Sequence, residues 1–216
     1  MHTTERMPMS ESIGGMRVAA PVELAVGILH GRHRAVGLAV ADAVLRQHPE
    51  VTTDALVAAS GERASTRGVR AARWVIARAD AHRETPLESV SAVAMEWLGF
   101  PAPELQRWFR GAASEDDARV DFWWDRWRIA GESDGEVKYS GAFGDARTAL
   151  RARNARDAAL RERGVRATAH WSWSDVSAPA RLRALLVATG LPLIHPAQDV
   201  PLRTLAAALR GAARHG

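Results

Sequence analysis

The fold turns on one stretch, Val120-Asp121-Phe122-Trp123-Trp124-Asp125-Arg126-Trp127-Arg128-Ile129-Ala130-Gly131-Glu132-Ser133-Asp134. Two runs rich in aromatic and β-branched residues flank Asp125-Arg126, the pattern of a β-hairpin. With those two residues as the turn, Trp124 faces Trp127, Phe122 faces Ile129 and Val120 faces Gly131, so one face is wholly apolar. A register one residue away sets Arg128 and Glu132 among the aromatics, a slip that is strongly disfavoured where one face is buried. The favoured register puts Asp121 opposite Ala130 on the other face, diagonal to Glu132 and Asp134, whose i, i+2 spacing keeps them together. Ser133 then turns toward the apolar face. Converging carboxylates repel unless a cation or a proton intervenes, so Asp121, Glu132 and Asp134 form a candidate hard-metal site. The alternative is the polar side of a half-exposed sheet.

Lys138 follows four residues after Asp134 and is the only lysine beside 28 arginines. A chain that otherwise uses Arg has here a compact ammonium whose pKa can be tuned near a nucleophilic water. Upstream, Thr85-Pro86-Leu87-Glu88 has an N-cap Thr, Pro at the first helical position and Glu at the third, predicting a helix to about Leu98 that Gly99 and Pro101 stop. Glu88 is thus either part of a capping box or a further acid. Strands are expected over 105–109, 119–124, 127–134 and 165–173, the last alternating Trp171, Ser172 and Trp173. Helices are expected over 145–163 and 177–188, with one more over 202–213. The order defines an α/β (α+β) domain over 84–190, followed by a tail over 191–216. Arg147, Arg151, Arg153 and Arg156 on the long helix are candidate nucleic-acid contacts, or ordinary solvated surface.

Residues 1–83 read as a helical region. Apolar positions recur at helical spacing from Val36 to Leu45, Thr53 is placed to cap a helix through Leu56, and Thr66 one carrying Trp74 and Ile76. This region is a candidate docking segment for a protein partner or a second copy. Arg63, Arg67, Arg70, Arg73 and Arg78 form a basic run that suits either phosphates or solvent. His30, His33, His170 and His195 lack metal-binding spacing.

The chain has 216 residues, 47% of them hydrophobic, eight tryptophans and no cysteine, with a net charge of +4. It is long enough for a packed core, while the lack of Cys excludes disulfides, zinc ribbons and thiol nucleophiles. No signal peptide or long apolar span is evident, so a soluble cytoplasmic protein with no membrane association is expected. The charge is segregated: +3 over 1–83, −6 over 84–140 and +7 over 141–216. An acidic middle beside a basic end admits metal-assisted chemistry on a polyanion.

From Thr85 to Val187 the chain resembles the PD-(D/E)xK nuclease superfamily, and within it the very-short-patch-repair-like endonuclease domains that end many actinobacterial abortive-infection-type antitoxins. The likeness lies in Pro86-Leu87-Glu88-Ser89, Arg119-Val120-Asp121-Phe122, Gly131-Glu132-Ser133-Asp134-Gly135 with Val137-Lys138-Tyr139, Arg156-Asp157-Ala158-Ala159-Leu160, and His170-Trp171-Ser172-Trp173-Ser174-Asp175. It implies a restriction-endonuclease-like core, with a mixed central sheet flanked by helices, and a Mg²⁺- or Mn²⁺-dependent endonuclease acting on DNA. Asp121 and Glu132 would then be the principal metal ligands, Glu88 and Asp134 supporting acids, and Lys138 the basic catalytic residue. Arg156 replaces an acidic residue of the family's long helix. A different class of function keeps the fold as a DNA- or partner-binding module of a toxin-antitoxin or regulatory system, without catalysis. Gly131-Glu132-Ser133-Asp134-Gly135 also matches the G-x-S-x-G elbow of serine hydrolases, but no helix is expected to follow it directly.

Overall fold

Prolines at Pro21, Pro86 and Pro179 open three of the helices, and Thr52 and Ser172 cap two others. The computed structural model describes residues 10–13, 16–111, 117–134 and 143–212. They form strands β1 (Ser10–Ile13) and β2 (Met16–Ala19), then helices α1 (Pro21–Gly31), α2 (Arg34–Gln47), α3 (Thr53–Gly61), α4 (Val69–Ile76) and α5 (Pro86–Leu98). Strands β3 (Glu104–Phe109), β4 (Ala118–Trp124) and β5 (Ile129–Ser133) follow, then α6 (Phe143–Glu162), β6 (Ala167–Trp171), α7 (Trp173–Val176), α8 (Pro179–Ala188) and α9 (Asp199–Ala212). The result is a mixed α/β fold with a helical N-terminal region. Among the described residues no helix is long and apolar enough to cross a membrane.

The chain divides into two compact units, Met1–Val90 and Ser91–Gly216. The first packs α1 to α4 around Val26, Leu29, Leu38, Leu56 and Val75. Its helix starts differ slightly from expectation. Thr52, not Thr53, caps α3 by accepting from the Ala55 amide at 3.2 Å, and Gly68 rather than Thr66 precedes α4. Gly68 is left-handed, with φ 82°, and a Cβ there would collide with the His30 carbonyl.

In the second unit the sheet order is β3-β4-β5-β6, with β3, β4 and β5 antiparallel and β6 parallel to β5. The parallel pairing requires a crossover, which α6 supplies. Residues 191–212 also belong to this unit: Leu191 and Leu205 are buried, and the Gln198 amide donates to the Trp97 carbonyl at 2.7 Å.

The central hairpin has a register two residues from the expected one. Phe122 pairs with Gly131 and Trp124 with Ile129, instead of Phe122 with Ile129 and Trp124 with Trp127. A two-residue turn of the type hairpins favour needs left-handed backbone at its central residues, a demand that Asp125-Arg126 meets poorly. The chain instead spends four residues, a 3₁₀ turn over Asp125–Trp127 and Arg128 at φ 52°. A shift of two residues preserves the side-chain faces. Phe122 therefore still lies near Trp124, and 5.3 Å from Trp171. Gly131 beneath them has no room for a Cβ, which would meet the Trp171 ring at 2.6 Å.

Val120 departs from that apolar face. It is clustered with Ala118, Trp123, Ala130, Leu160 and Val165, on the side that α6 covers. Val120 and Trp123 are three apart, so the two-residue alternation slips between them. The partner strand marks the place: Gln106, between the pairs Leu105 with Phe122 and Arg107 with Val120, has φ 52°. A second correction concerns Trp173. It opens α7, because Ser172 and Asp175 form a capping box that ends the strand at Trp171.

Candidate active site

The acids lie just past the last β4–β5 pair. Continuing the β4–β5 register one step beyond Phe122 and Gly131 brings Asp121 level with Glu132, and the parallel register sets Glu132 beside His170. The backbone then leaves the sheet at Asp134, whose amide donates to the Trp171 carbonyl at 2.8 Å. Ser133 does not turn away from the carboxylates as expected. Its amide and its hydroxyl both donate to Asp121 Oδ2 at 2.9 Å. The slip in alternation around Asp121 accounts for this, since it swings that carboxylate toward the end of β5.

Helix α6 supplies the countercharges. Arg156 Nε donates to Glu132 Oε1 at 2.9 Å, and its other arm donates to the Arg119 carbonyl at 2.6 Å. Arg153 donates to Asp134 Oδ2 at 2.6 Å. Arg153 and Arg156, expected as phosphate contacts, are thus joined to acids, while Arg147 and Arg151 are exposed on the same helix. Asp157 completes the helix face, one position past Arg156 and four past Arg153.

His170 stands in the middle of this network, and its place was not legible from spacing. Nδ1 lies 3.1 Å from Asp134 Oδ2, and Nε2 lies 3.0 Å from Asp157 Oδ1. Two ionised carboxylates can only accept, so both ring nitrogens bond fully only in the imidazolium form. Burial works against that charge, yet the hydrogen bonds to Asp134 and Asp157 outweigh it and hold the His170 pKa above its usual value. Burial likewise opposes ionisation of Asp134, but His170 and Arg153 prevail and its pKa is lowered. At Glu132 burial wins. Its carboxyl is raised despite Arg156, with Asp121 adding repulsion. The i, i+3, i+4 spacing of Arg153, Arg156 and Asp157 sets those three on one helix face, but no local pattern joins His170 to them.

Glu88 is held by the cap of α5. Its carboxylate accepts from the Glu84 amide and from the Thr85 hydroxyl, both at 2.9 Å, and the Glu88 amide donates to Thr85 Oγ1 at 3.2 Å. Lys138 lies outside the described residues.

Glu132, Asp134 and His170 each offer one ligand atom within 4.8 Å of the others. The carboxylate oxygens of Glu132 and Asp134 suit Mg²⁺ or Mn²⁺, whereas His170, with both ring nitrogens bonded to Asp134 and Asp157, would have to lose a proton and one of those bonds to act as a ligand. Arg153 and Arg156 are 41% and 43% exposed, so their long side chains can yield to a cation without disturbing the core. The two carboxylates therefore fit a hard divalent cation.

No family model and no solved structure matches this chain. It is 34% identical over 122 residues to an uncharacterized Mycobacterium tuberculosis protein, Rv2248 of strain H37Rv and MT2308 of strain CDC 1551. The match covers 56% of this chain and 44% of each relative, so the chain spans less than half the length of the curated relatives it matches.

Proposed function

We propose that the chain is a metal-dependent phosphodiesterase of the PD-(D/E)xK type, an endonuclease acting on DNA. The observation that carries this is the register that sets Asp121 level with Glu132, with Asp134 just past the end of β5 and Arg156 and Arg153 of α6 paired to Glu132 and Asp134. Asp121, Glu132 and Asp134 are the residues to hold Mg²⁺ or Mn²⁺, which when bound would polarise a phosphate and acidify water. His170 orients Asp134 through its Nδ1 hydrogen bond, and Asp157 fixes the ring from the other side. Arg153 and Arg156, once released from the acids, are placed to meet phosphate oxygens. Lys138 would position the attacking water or neutralise developing charge.

One observation favours a second reading, a nuclease-like binding module without catalysis. Arg156 and Arg153 already neutralise Glu132 and Asp134, so the protein supplies its own cations where an active enzyme would use a metal. Calorimetric Mn²⁺ titration separates the two, run beside cleavage of plasmid, single-stranded DNA and RNA in Mg²⁺, Mn²⁺ or EDTA. The enzyme should bind Mn²⁺ and cut, and Asp121→Ala and Glu132→Ala should each lose both properties while staying folded. DNA binding without cutting or metal uptake would establish the second reading.

A further inference from the structure

We propose that the N-terminal unit carries its own surface for the phosphate backbone of duplex DNA, built on α4 and the loops beside it. This surface belongs to the N-terminal unit and the acidic centre to the C-terminal one, so the proposal stands whether or not that centre cleaves.

From Arg63 to Arg78 the chain has five arginines and no acidic residue. Folding adds two more. Arg32 and Arg34 at the α1–α2 junction are exposed, as are Arg63, Arg67, Arg70 and Arg73. Specific contacts bring these segments together: His30 Nδ1 bonds the Arg67 carbonyl at 2.9 Å, and the left-handed Gly68 sits against the His30 backbone. Arg63 reaches alongside Gly27 of α1. On α4, Arg70, Arg73 and Trp74 have the i, i+3, i+4 spacing of one helix face, while Ala72, Val75 and Ile76 are buried.

Trp74 decides which nucleic acid fits. An exposed aromatic ring among arginines is the usual platform for an unstacked base. Here the Arg34 and Arg78 guanidinium groups already lie over the ring, 5.1 and 4.0 Å from its centroid. Covered in this way, the ring holds two charges in place and offers little stacking surface. What the surface can take is a row of phosphates, independent of sequence. Like charges gathered so densely repel one another, and a polyanion relieves that repulsion.

The test is fluorescence anisotropy of the full chain with labelled duplex and single-stranded oligonucleotides, across a salt series in EDTA so that no metal-dependent cutting intervenes. Arg70→Ala/Arg73→Ala should weaken duplex binding by about tenfold near physiological salt and reduce the log–log salt slope by about 2, as expected for two lost phosphate contacts. Lysines at the same two positions should retain the slope, since charge rather than fork geometry is what counts there. Cleavage of plasmid in Mg²⁺ is read separately on the parent, so failure of the nuclease proposal and failure of this one are distinguishable. The proposal is overturned if the alanine pair leaves the slope unchanged, if single strands bind more tightly than duplex, or if polyglutamate displaces duplex at equal charge. The last outcome would point instead to an acidic protein.

Discussion

Each unit of the molecule buries an acid against an arginine, and the two pairs are built differently. In the N-terminal unit Asp42 is 1% exposed and accepts from Arg83, itself 12% exposed, at 2.9 Å. The Asp80 amide donates to its other oxygen, Oδ1, at 2.8 Å. In the C-terminal unit Glu132 is 12% exposed, but its partner Arg156 is 43% exposed. Burial raises the pKa of both acids, and the arginine pulls each back only in part. The difference is access. Asp42 is enclosed by partners that belong to the fold, whereas Glu132 is held by a side chain that solvent or a ligand can draw away. A closed pair is structural, and an open pair of the same chemistry can exchange its partner for a ligand.

The strongest way to test that distinction is to cut both pairs from the arginine side. Arg83→Met leaves a charged Asp42 in the core, and should cost the N-terminal unit about 3–5 kcal/mol, the usual penalty for an orphaned buried charge. Arg83 Nε is buried without a hydrogen-bond partner, so the arginine is itself costly to bury. The double variant Asp42→Asn/Arg83→Met should therefore recover most of the loss. Urea denaturation followed by hydrogen exchange in α2 and α4 reads both effects. A single variant as stable as the parent would remove the contrast between the units.

Arg156→Met should do far less, within about 1 kcal/mol, because a half-exposed partner contributes little in high dielectric and water can take its place. The same exchange measurement on α6 and β5 checks it. A loss as large as that of Arg83→Met would make the Glu132 pair structural, and would weaken the case for a site there.

The comparison also shows what was legible in the sequence. Alternating aromatics announced β4 and β5, and the capping box at Thr85 announced α5, because both signals act over a few residues. Helix α1 was missed although Pro21 and Glu23 mark its start. The hairpin register was misplaced by two residues, since turn length depends on backbone angles that Asp125 and Arg126 do not advertise. That error spared Glu132 and Asp134, which lie together with His170, while Asp121, level with Glu132 in the register, is bonded to the Ser133 amide and hydroxyl. It did not spare Ser133 or Val120, whose directions depend on the slip opposite Gln106. His170 and Asp157 were beyond reach for a different reason. His170 meets Asp134 on one side and Asp157 on the other only through the parallel crossover to β6, a long-range pairing that local spacing does not encode.

The smallest effect expected is a pH dependence of the C-terminal unit, and its sign follows from three groups of the network. His170 is raised above its usual 6.5, so its contribution to stability is fully present below about 6.5 and is lost as pH rises through its higher folded value. Glu132 is raised as well, so its carboxylate form is penalised near neutrality, and the penalty disappears as pH falls through its folded pKa. Asp134 is lowered and acts oppositely. Its stabilisation is present above its unfolded value of about 3.9 and fades as pH falls through the folded one. Stability of this unit should therefore rise modestly from alkaline pH into the mildly acidic range, then fall in stronger acid. His170→Asn should flatten the alkaline limb while leaving the acid limb recognisable, because an amide can still donate to one carboxylate but no longer titrates. Thermal unfolding at a series of pH values, for the parent and the variant, gives the answer. Parallel profiles for the two proteins would show that His170 is not the charged centre of the network, and the ordering of Asp134 would then have to come from Arg153 alone.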